Sequence, residues 1–247
     1  MRLLPKEAFA EVFEPLVGKR IGFVISLGNV GDDLIDMATM QLLGEYGISW
    51  TIQDPEGPIE EGVEELIFSG GGNMGHWYQN NWDLRGKALD LGLPMTILPQ
   101  TFNSPEDRPY KRVYVREQVS LQFCPHGILA PDLALGLDYS SNIVPRKKLG
   151  IFRRRDSERT SRFRWFLRDP AKICQTPEEY LQLAARYEQI VTDRLHFSIC
   201  GLIQGRDVTL LPNTYHKNEA MYEMWLKDLG CHFQQTPSRR YRSRRAA

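Results

Sequence analysis

"RIGFVISLGNVGDDLIDMATMQLLGEYG", residues 20–47, decides the fold class. An apolar run of strand length, "RIGFVISL", enters a glycine-bearing loop, "GNVGDD". Apolar residues then recur at helical spacing through "DLIDMATMQLLGEYG". Strand, loop and helix repeat outward from there. "ISWTIQ" (48–53) reads as a second strand, and "EELIFSG" (64–70) as a third that enters the loop "GGGNMG" (70–75). A helix around "NWDLRGKALDLG" (81–92) leads to the strand "PMTILPQ" (94–100), and "RVYVR" (112–116) and "LAPDLAL" (129–135) close this half. Such alternation predicts a mostly parallel sheet with helices on its faces.

"NIVPRKK" (142–148) reads as a linker. The pattern then restarts with the strand "KLGIFRR" (148–154), the helix "TPEEYLQLAARY" (176–187) and the strand "QIVTD" (189–193). A helix from "LHFSICGLI", the strand "DVTLLP" (207–212) and a helix over "HKNEAMYEMWLKDLG" (216–230) finish it. The expected architecture is α/β: two Rossmann-like domains facing a cleft, residues 1–145 and a small second domain, 146–233, whose core leans on the first. Residues 234–247 read as a basic tail without regular structure.

The chain has 247 residues and a formal net charge of zero, which hides a split. Residues 1–145 hold 10 Lys+Arg against 20 Asp+Glu, and residues 146–247 hold 21 against 11. Either the halves meet different partners, or two solvated surfaces attract each other across a cleft. No apolar run approaches the ~20 residues that span a bilayer. "MRLLPKEAFAEVFEPL", broken by Pro5 and three acids, lacks the apolar core of a signal peptide. Cys124, Cys174, Cys200 and Cys231 show no metal-type spacing and read as free thiols in a reducing cytoplasm. No carboxylate–histidine cluster demands a metal. The tail "SRRYRSRRAA" (238–247) has the charge for nucleic acid or anionic lipid, but the acidic first half and the lack of a recognition module count against nucleic acid.

In open α/β sheets ligands gather at the carboxyl ends of the strands. The unusual residues fall there: Gly28, Asn29, Gly31 and Asp32; Gly70, Gly71, Gly72 and Asn73; Arg116; Arg153 to Arg155; Asp193 to His196; Asn213 to Asn218. In "VTDRLHFSICG" (191–201), with Thr192 or Asp193 as cap, Arg194 and His196 open an apolar helix against the helix dipole. A bound anion, held by the arginine and free backbone N–H groups, resolves the conflict. Pairing of Arg194 with Asp193 or Asp32 is the alternative, and His196 is either a proton carrier or a helix-opening core residue. Asn29 and Asp32 suit the hydroxyls of a ligand, or form a tight turn with Asp32 as cap. Gly71, Gly72 and Asn73 have the same two readings. His76, Trp77 and Tyr78 either stack on a sugar ring or pack in the core.

In order, "GNVGDDLI", "SGGGNMG", "LPQTF", "VYVREQVS", "APDLAL", "RRRDSE", "VTDRLHFSICGLIQG" and "NTYHKN" resemble the polysaccharide pyruvyl transferase family, from about residue 21 to residue 220. The resemblance implies a fold similar to the GT-B glycosyltransferases. It also implies transfer of the pyruvyl group of phosphoenolpyruvate onto two hydroxyls of one sugar, in a polysaccharide or its lipid-linked precursor, giving a cyclic ketal and phosphate. Phosphoenolpyruvate is then a co-substrate and no cofactor is expected. The location implied is cytoplasmic, with room for peripheral association at the inner face of the membrane. Arg194, Lys217, Arg116 and His216 become donor-binding residues, with His196 and Arg194 catalytic. Asn29, Gly31, Asp32, Gly71, Gly72 and Asn73 bind the acceptor or line the cleft. Two departures stand out: a short segment between "RRRDSE" and "TPEEY", and the basic tail. The competing functions are a sugar-nucleotide glycosyltransferase of GT-B type and a shortened, non-catalytic glycan-binding relative. A Rossmann oxidoreductase is disfavoured because "GNVGDD" lacks GxGxxG spacing.

Overall fold

The computed structural model describes residues 2–160 and 168–235. After a short helix α1 (Ala10–Phe13), the first half forms a parallel sheet of β1 (Arg20–Val24), β2 (Ser49–Ile52), β3 (Glu65–Phe68), β4 (Gly71–Met74), β5 (Met95–Phe102), β6 (Arg112–Val115) and β7 (Ile128–Leu129). The strand order is β2-β1-β3-β5-β6-β7. Helices α2 (Val30–Glu45) and α3 (Gln79–Asp90) are the crossovers. β3 and β5 are buried along their whole length, as strands covered on both faces should be.

"GGGNMG" is not simply a loop, as the sequence leads one to expect. β5 continues past its last pairing with β3, Phe68↔Ile97, and Gly71–Met74 fills the edge left free, with Gly71 opposite Gln100 and Met74 opposite Phe102.

The second half is a parallel sheet ordered β11-β10-β9-β8. Its strands are β8 (Lys147–Phe152), β9 (Tyr187–Thr192), β10 (Asp207–Leu210) and β11 (Cys231–Phe233). Helices α4 (Pro170–Ile173), α5 (Pro177–Ala185), α6 (Leu195–Ile203) and α7 (Lys217–Met221) accompany it. α5 opens with Thr176 as cap and Pro177 in the first turn, where a missing N–H costs nothing. The helix expected over 216–230 breaks after Met221 into a π turn (Tyr222–Leu226) and a 3-10 turn (Lys227–Leu229). β11, unforeseen in the sequence, follows and pairs with β10.

One apolar cluster runs through both halves. Leu34, Ala38 and Leu42 of α2 belong to it together with Tyr180, Leu181 and Ala184 of α5 and Leu195 and Ile199 of α6. The halves are therefore joined by core on one side, with the strand ends and their loops on the other. All four cysteines are buried and free. Among the described residues no helix is long and apolar enough to cross a membrane. The basic run beyond residue 235, and part of the short segment after "RRRDSE", lie outside the described residues.

Candidate active site

The strand ends of the two sheets line one small cavity. The first half contributes Leu27, Gly28, Asn29, Gly31, Asp32, Gly72, Asn73, Tyr78 and Arg116. The second adds Arg154, Glu158, Tyr180, Arg194, Leu195, His196 and Lys217. Its free volume is about 130 Å³. Each strand-end segment singled out in the sequence contributes at least one residue to it, from positions almost 190 residues apart.

Local structure explains how each arrives. Asn29, not Asp32, caps α2: its side chain accepts from the Gly31 N–H at 3.0 Å, and Asp32 returns the bond by accepting from the Asn29 N–H at 2.9 Å. This capping box commits both side chains to the turn. The cap of α6 also differs from expectation. Arg194 occupies the cap position without a side-chain cap bond. Thr192 Oγ1 instead accepts from the Arg194 N–H (3.1 Å), and Asp193 accepts from the Arg154 N–H (2.7 Å) and Arg153 Nε (2.9 Å).

Two glycines let the halves approach. A Cβ on Gly31 would lie 2.9 Å from His196 Nδ1, and one on Gly72 would lie 2.9 Å from Arg116 Nη2 and 3.3 Å from Lys217 Cδ. The His196 ring, Arg116 and Lys217 occupy the space that side chains would take at these positions.

The cations differ in how fully they are neutralised. Arg194 donates through Nε and Nη2 to Asp169 (2.9 and 2.7 Å) and lies 2.8 Å from Asp156. It is paired, though with neither Asp193 nor Asp32. Arg154 is the member of the arginine triplet that faces the cavity, bound to Asp156 (2.7 Å) and Glu158 (2.6 Å). Arg116 is fully buried: Nε donates to Thr101 Oγ1 (2.8 Å) and Nη1 to Asp132 (2.5 Å), while Nη2 has no partner among the described residues. Asn73 Nδ2 is a second buried donor without one. An unsatisfied buried donor costs about 1–3 kcal/mol, more when charged, so two of them on residues of one cavity point to a ligand that accepts.

His196 Nε2 lies 3.4 Å from both Asp132 Oδ2 and Arg116 Nη1. Burial alone would raise the Asp132 carboxyl, but Arg116 and then His196 outweigh it and hold the group well below the usual carboxylate range. Asp132 is thus a fixed anion that orients the imidazole, as carboxylates do in proton-transfer sites. On the opposite wall Glu158 accepts from Lys217 Nζ (2.7 Å), Tyr78 (2.9 Å), Asn213 (3.1 Å) and Arg154. Burial pushes the Glu158 carboxyl up, yet Lys217 and Arg154 bring it well below normal. Burial lowers the Lys217 ammonium, opposed by Glu158.

His216 is not among the lining residues. It stands 3.6 Å from Glu117, stacks near Phe123, and borders a separate cavity with Val119 and Met224. Of the expected aromatics, Tyr78 lines the cavity, His76 packs on Trp82, and Trp77 is exposed. Gly71 is not in the lining either: a Cβ there would meet Asp32 at 3.2 Å, so it supports the turn. Asp132 and Glu158 carry no signal of their own in the sequence beyond standing at strand ends, in "APDLAL" and "RRRDSE". Among the described residues no cluster of three or more His, Cys, Asp or Glu could hold a metal ion.

Fold and site together define a class: an α/β protein that gathers buried cations around one small cavity beside a carboxylate-held histidine. The polysaccharide pyruvyl transferase family model matches residues 29–215, and the chain belongs to that family. A functionally uncharacterized protein of Klebsiella pneumoniae subsp. pneumoniae NTUH-K2044 has the same fold, with a TM-score of 0.77 at 22% identity, covering 94% of this chain and 98% of that one. A glycosyltransferase of kitacinnamycin (TM-score 0.43, 10% identity, 89% of this chain and 86% of that one) and S. aureus MnaA in complex with UDP (0.42, 9%, 80% and 80%) are also similar, too loosely to carry an argument. No curated protein matches the chain.

Proposed function

We propose that the protein transfers the pyruvyl group of phosphoenolpyruvate to two hydroxyls of one sugar, in a polysaccharide or its lipid-linked precursor. The observation that carries this reading is the unpartnered Arg116 Nη2, buried within a cavity that Lys217, Arg154 and Arg194 also line. Phosphoenolpyruvate brings a phosphate and a carboxylate, acceptors suited to directed guanidinium and ammonium donors. Arg116 and Lys217 bind it, with Arg154 alongside. Arg194 acts mainly by fixing the second-half loops, because Asp169 and Asp156 already neutralise it.

His196, oriented by Asp132, adds a proton to the vinyl carbon of phosphoenolpyruvate, leaving oxocarbenium character at C2. One sugar hydroxyl attacks C2 and returns a proton to His196. Phosphate then departs with the C2–O bonding pair. The second hydroxyl closes the ring, its proton passing to the departing phosphate or to solvent. Atoms balance as diol plus phosphoenolpyruvate giving ketal plus phosphate. The active state is a cytoplasmic enzyme working on a saccharide, at the membrane face where that saccharide is lipid-linked.

A glycosyltransferase on this architecture would need room for a nucleoside diphosphate, and a charged cavity of about 130 Å³ is small for one. The test is incubation with phosphoenolpyruvate and oligosaccharide or lipid-linked acceptors, following phosphate release and product mass. Phosphate release without a heavier saccharide, or turnover of a nucleotide sugar instead, rejects the proposal.

A further inference from the structure

Beside the charged cavity lies an open groove of about 460 Å³ that has no charged side chain in its lining. Leu27, Gly28 and Tyr78 border both spaces, so the groove opens directly onto the anion site. Trp77, Gln79 and Asn80 complete the groove's outer wall at the head of α3.

The walls are built rather than incidental. Asn81 is buried, and its amide donates to the Leu27 carbonyl (2.7 Å) and accepts from the Leu27 N–H (2.8 Å). This pair of bonds ties the loop after β1 to the first turn of α3. Trp77 meets Tyr215 edge-on at 5.8 Å and is otherwise open, 63% exposed, and Leu27 is 55% exposed. Both side chains belong to the groove's lining and leave apolar surface open to water there. Gln79 and Asn80 are exposed amides, each able to donate and accept. No side chain caps α3, so its first backbone N–H groups add donors.

These features select the chemistry of the occupant. An uncharged lining excludes a diphosphate or polyanion, which would gain nothing there. An aromatic surface beside amide pairs suits a ring with an apolar C–H face and a hydroxylated edge. Size argues the same way: the anion cavity has less than a third of the groove's volume, so donor and sugar need separate spaces. We propose that this groove is the acceptor subsite and takes an uncharged pyranose ring. The C–H face of the ring lies on Trp77, and its reacting hydroxyl pair points through the opening at Leu27, Gly28 and Tyr78. The inference rests on the pyruvyl-transfer reading of the adjoining cavity.

The test combines saturation-transfer NMR with kinetics on the full chain. The probes are uncharged methyl pyranosides of the gluco, galacto, manno and N-acetylmannosamine series. Native protein should transfer saturation to the ring C–H protons of at least one probe, Trp77→Ala should lose the signal, and Trp77→Phe should keep part of it. Melting temperature and phosphoenolpyruvate affinity of both variants should stay native, which shows that they are folded. With a productive acceptor, Trp77→Ala should raise the acceptor KM about tenfold, equivalent to ~1.4 kcal/mol, with donor Kd unchanged. No transfer from native protein to any probe, or undiminished transfer from folded Trp77→Ala, overturns the proposal. Sugar binding through Trp77 without phosphoenolpyruvate turnover upholds the groove and rejects pyruvyl transfer. Turnover onto a sugar with an unchanged acceptor KM in Trp77→Ala does the reverse.

Discussion

Arg116 and Arg194 are both buried, and losing either leaves a buried carboxylate behind, Asp132 in one case and Asp169 in the other. Breaking a buried pair from one side costs roughly 3–5 kcal/mol, so both Ala variants should melt earlier. They differ in binding. Arg116 has an unpartnered Nη2 for the donor, and Arg194 holds carboxylates. Under conditions where both variants are folded, Arg116→Ala should weaken phosphoenolpyruvate binding about tenfold to a hundredfold, from roughly 1.5–3 kcal/mol of charged hydrogen bond. Arg194→Ala should change it little. Calorimetric titration of both decides, and equal losses would contradict the distinction. His196→Gln keeps a polar side chain of similar reach but removes the titrating group. Turnover should fall on the order of a hundredfold to ten-thousandfold while donor Kd stays near native; near-native turnover would remove His196 from the chemistry. The sequence makes Arg194 the conspicuous arginine, because it opens an apolar helix against the dipole. What it cannot display is that Asp169 and Asp156, some 25 and 38 residues upstream, already answer that charge.

At the scale of elements, β4 and α2 set the site's dimensions. Gly72→Ala would place a methyl 2.9 Å from Arg116 Nη2 and 3.3 Å from Lys217 Cδ. Because it meets side-chain ends rather than backbone, the fold should survive while donor KM rises about tenfold or more, the equivalent of ~1.4 kcal/mol. Steady-state kinetics with a melting curve test this, and a native KM would show that the cations have room to yield. α2 carries a second consequence. Asp36 is buried and accepts from Ser69 Oγ at 2.7 Å, and burial, with Asp32 and Asp33 adding, pushes its carboxyl up to about 7. A raised native value favours the protonated fold, so this contribution is full below the ordinary 3.8 and is lost as pH rises to about 7. Native stability should therefore decline across that window, by on the order of 2–4 kcal/mol. Asp36→Asn should flatten it, as urea denaturation at several pH values would reveal; an unchanged slope assigns the decline elsewhere. Apolar periodicity exposed α2 in the sequence, since it packs one face into the shared core, and apolar content exposed α6, which is buried almost all round. It could not separate an α from a π turn over 222–226, where Trp225 Nε1 reaches the Arg116 carbonyl at 2.6 Å. Nor could it foresee β4, a glycine-rich strand whose pairing is dictated by the excess length of β5.

Across the whole molecule, the two sheets share one apolar cluster on one side and one charged cavity on the other. The alternation of strands and helices made both sheets readable. Tyr78 of the first half donates to Glu158 of the second at 2.9 Å and ties the halves together at the cavity. The cavity draws its charged lining from both halves, Asp32 and Arg116 from the first and Arg154, Glu158, Arg194 and Lys217 from the second. Arg116 and Asn73, the lining residues whose buried donors have no partner among the described residues, both come from the first half, and Lys217 and His196 come from the second. That distinction depends on long-range pairing, which no local pattern encodes. In the proposed chemistry this shared cavity protonates the vinyl carbon of phosphoenolpyruvate and delivers C2 to a sugar. Turnover in heavy water, with product analysis by NMR and mass spectrometry, tests it most directly. The expected product is a saccharide-bound ketal whose methyl group carries one deuterium, formed in step with release of one phosphate. A saccharide product without that methyl deuterium, or phosphate released with no pyruvyl group on the sugar, would contradict it.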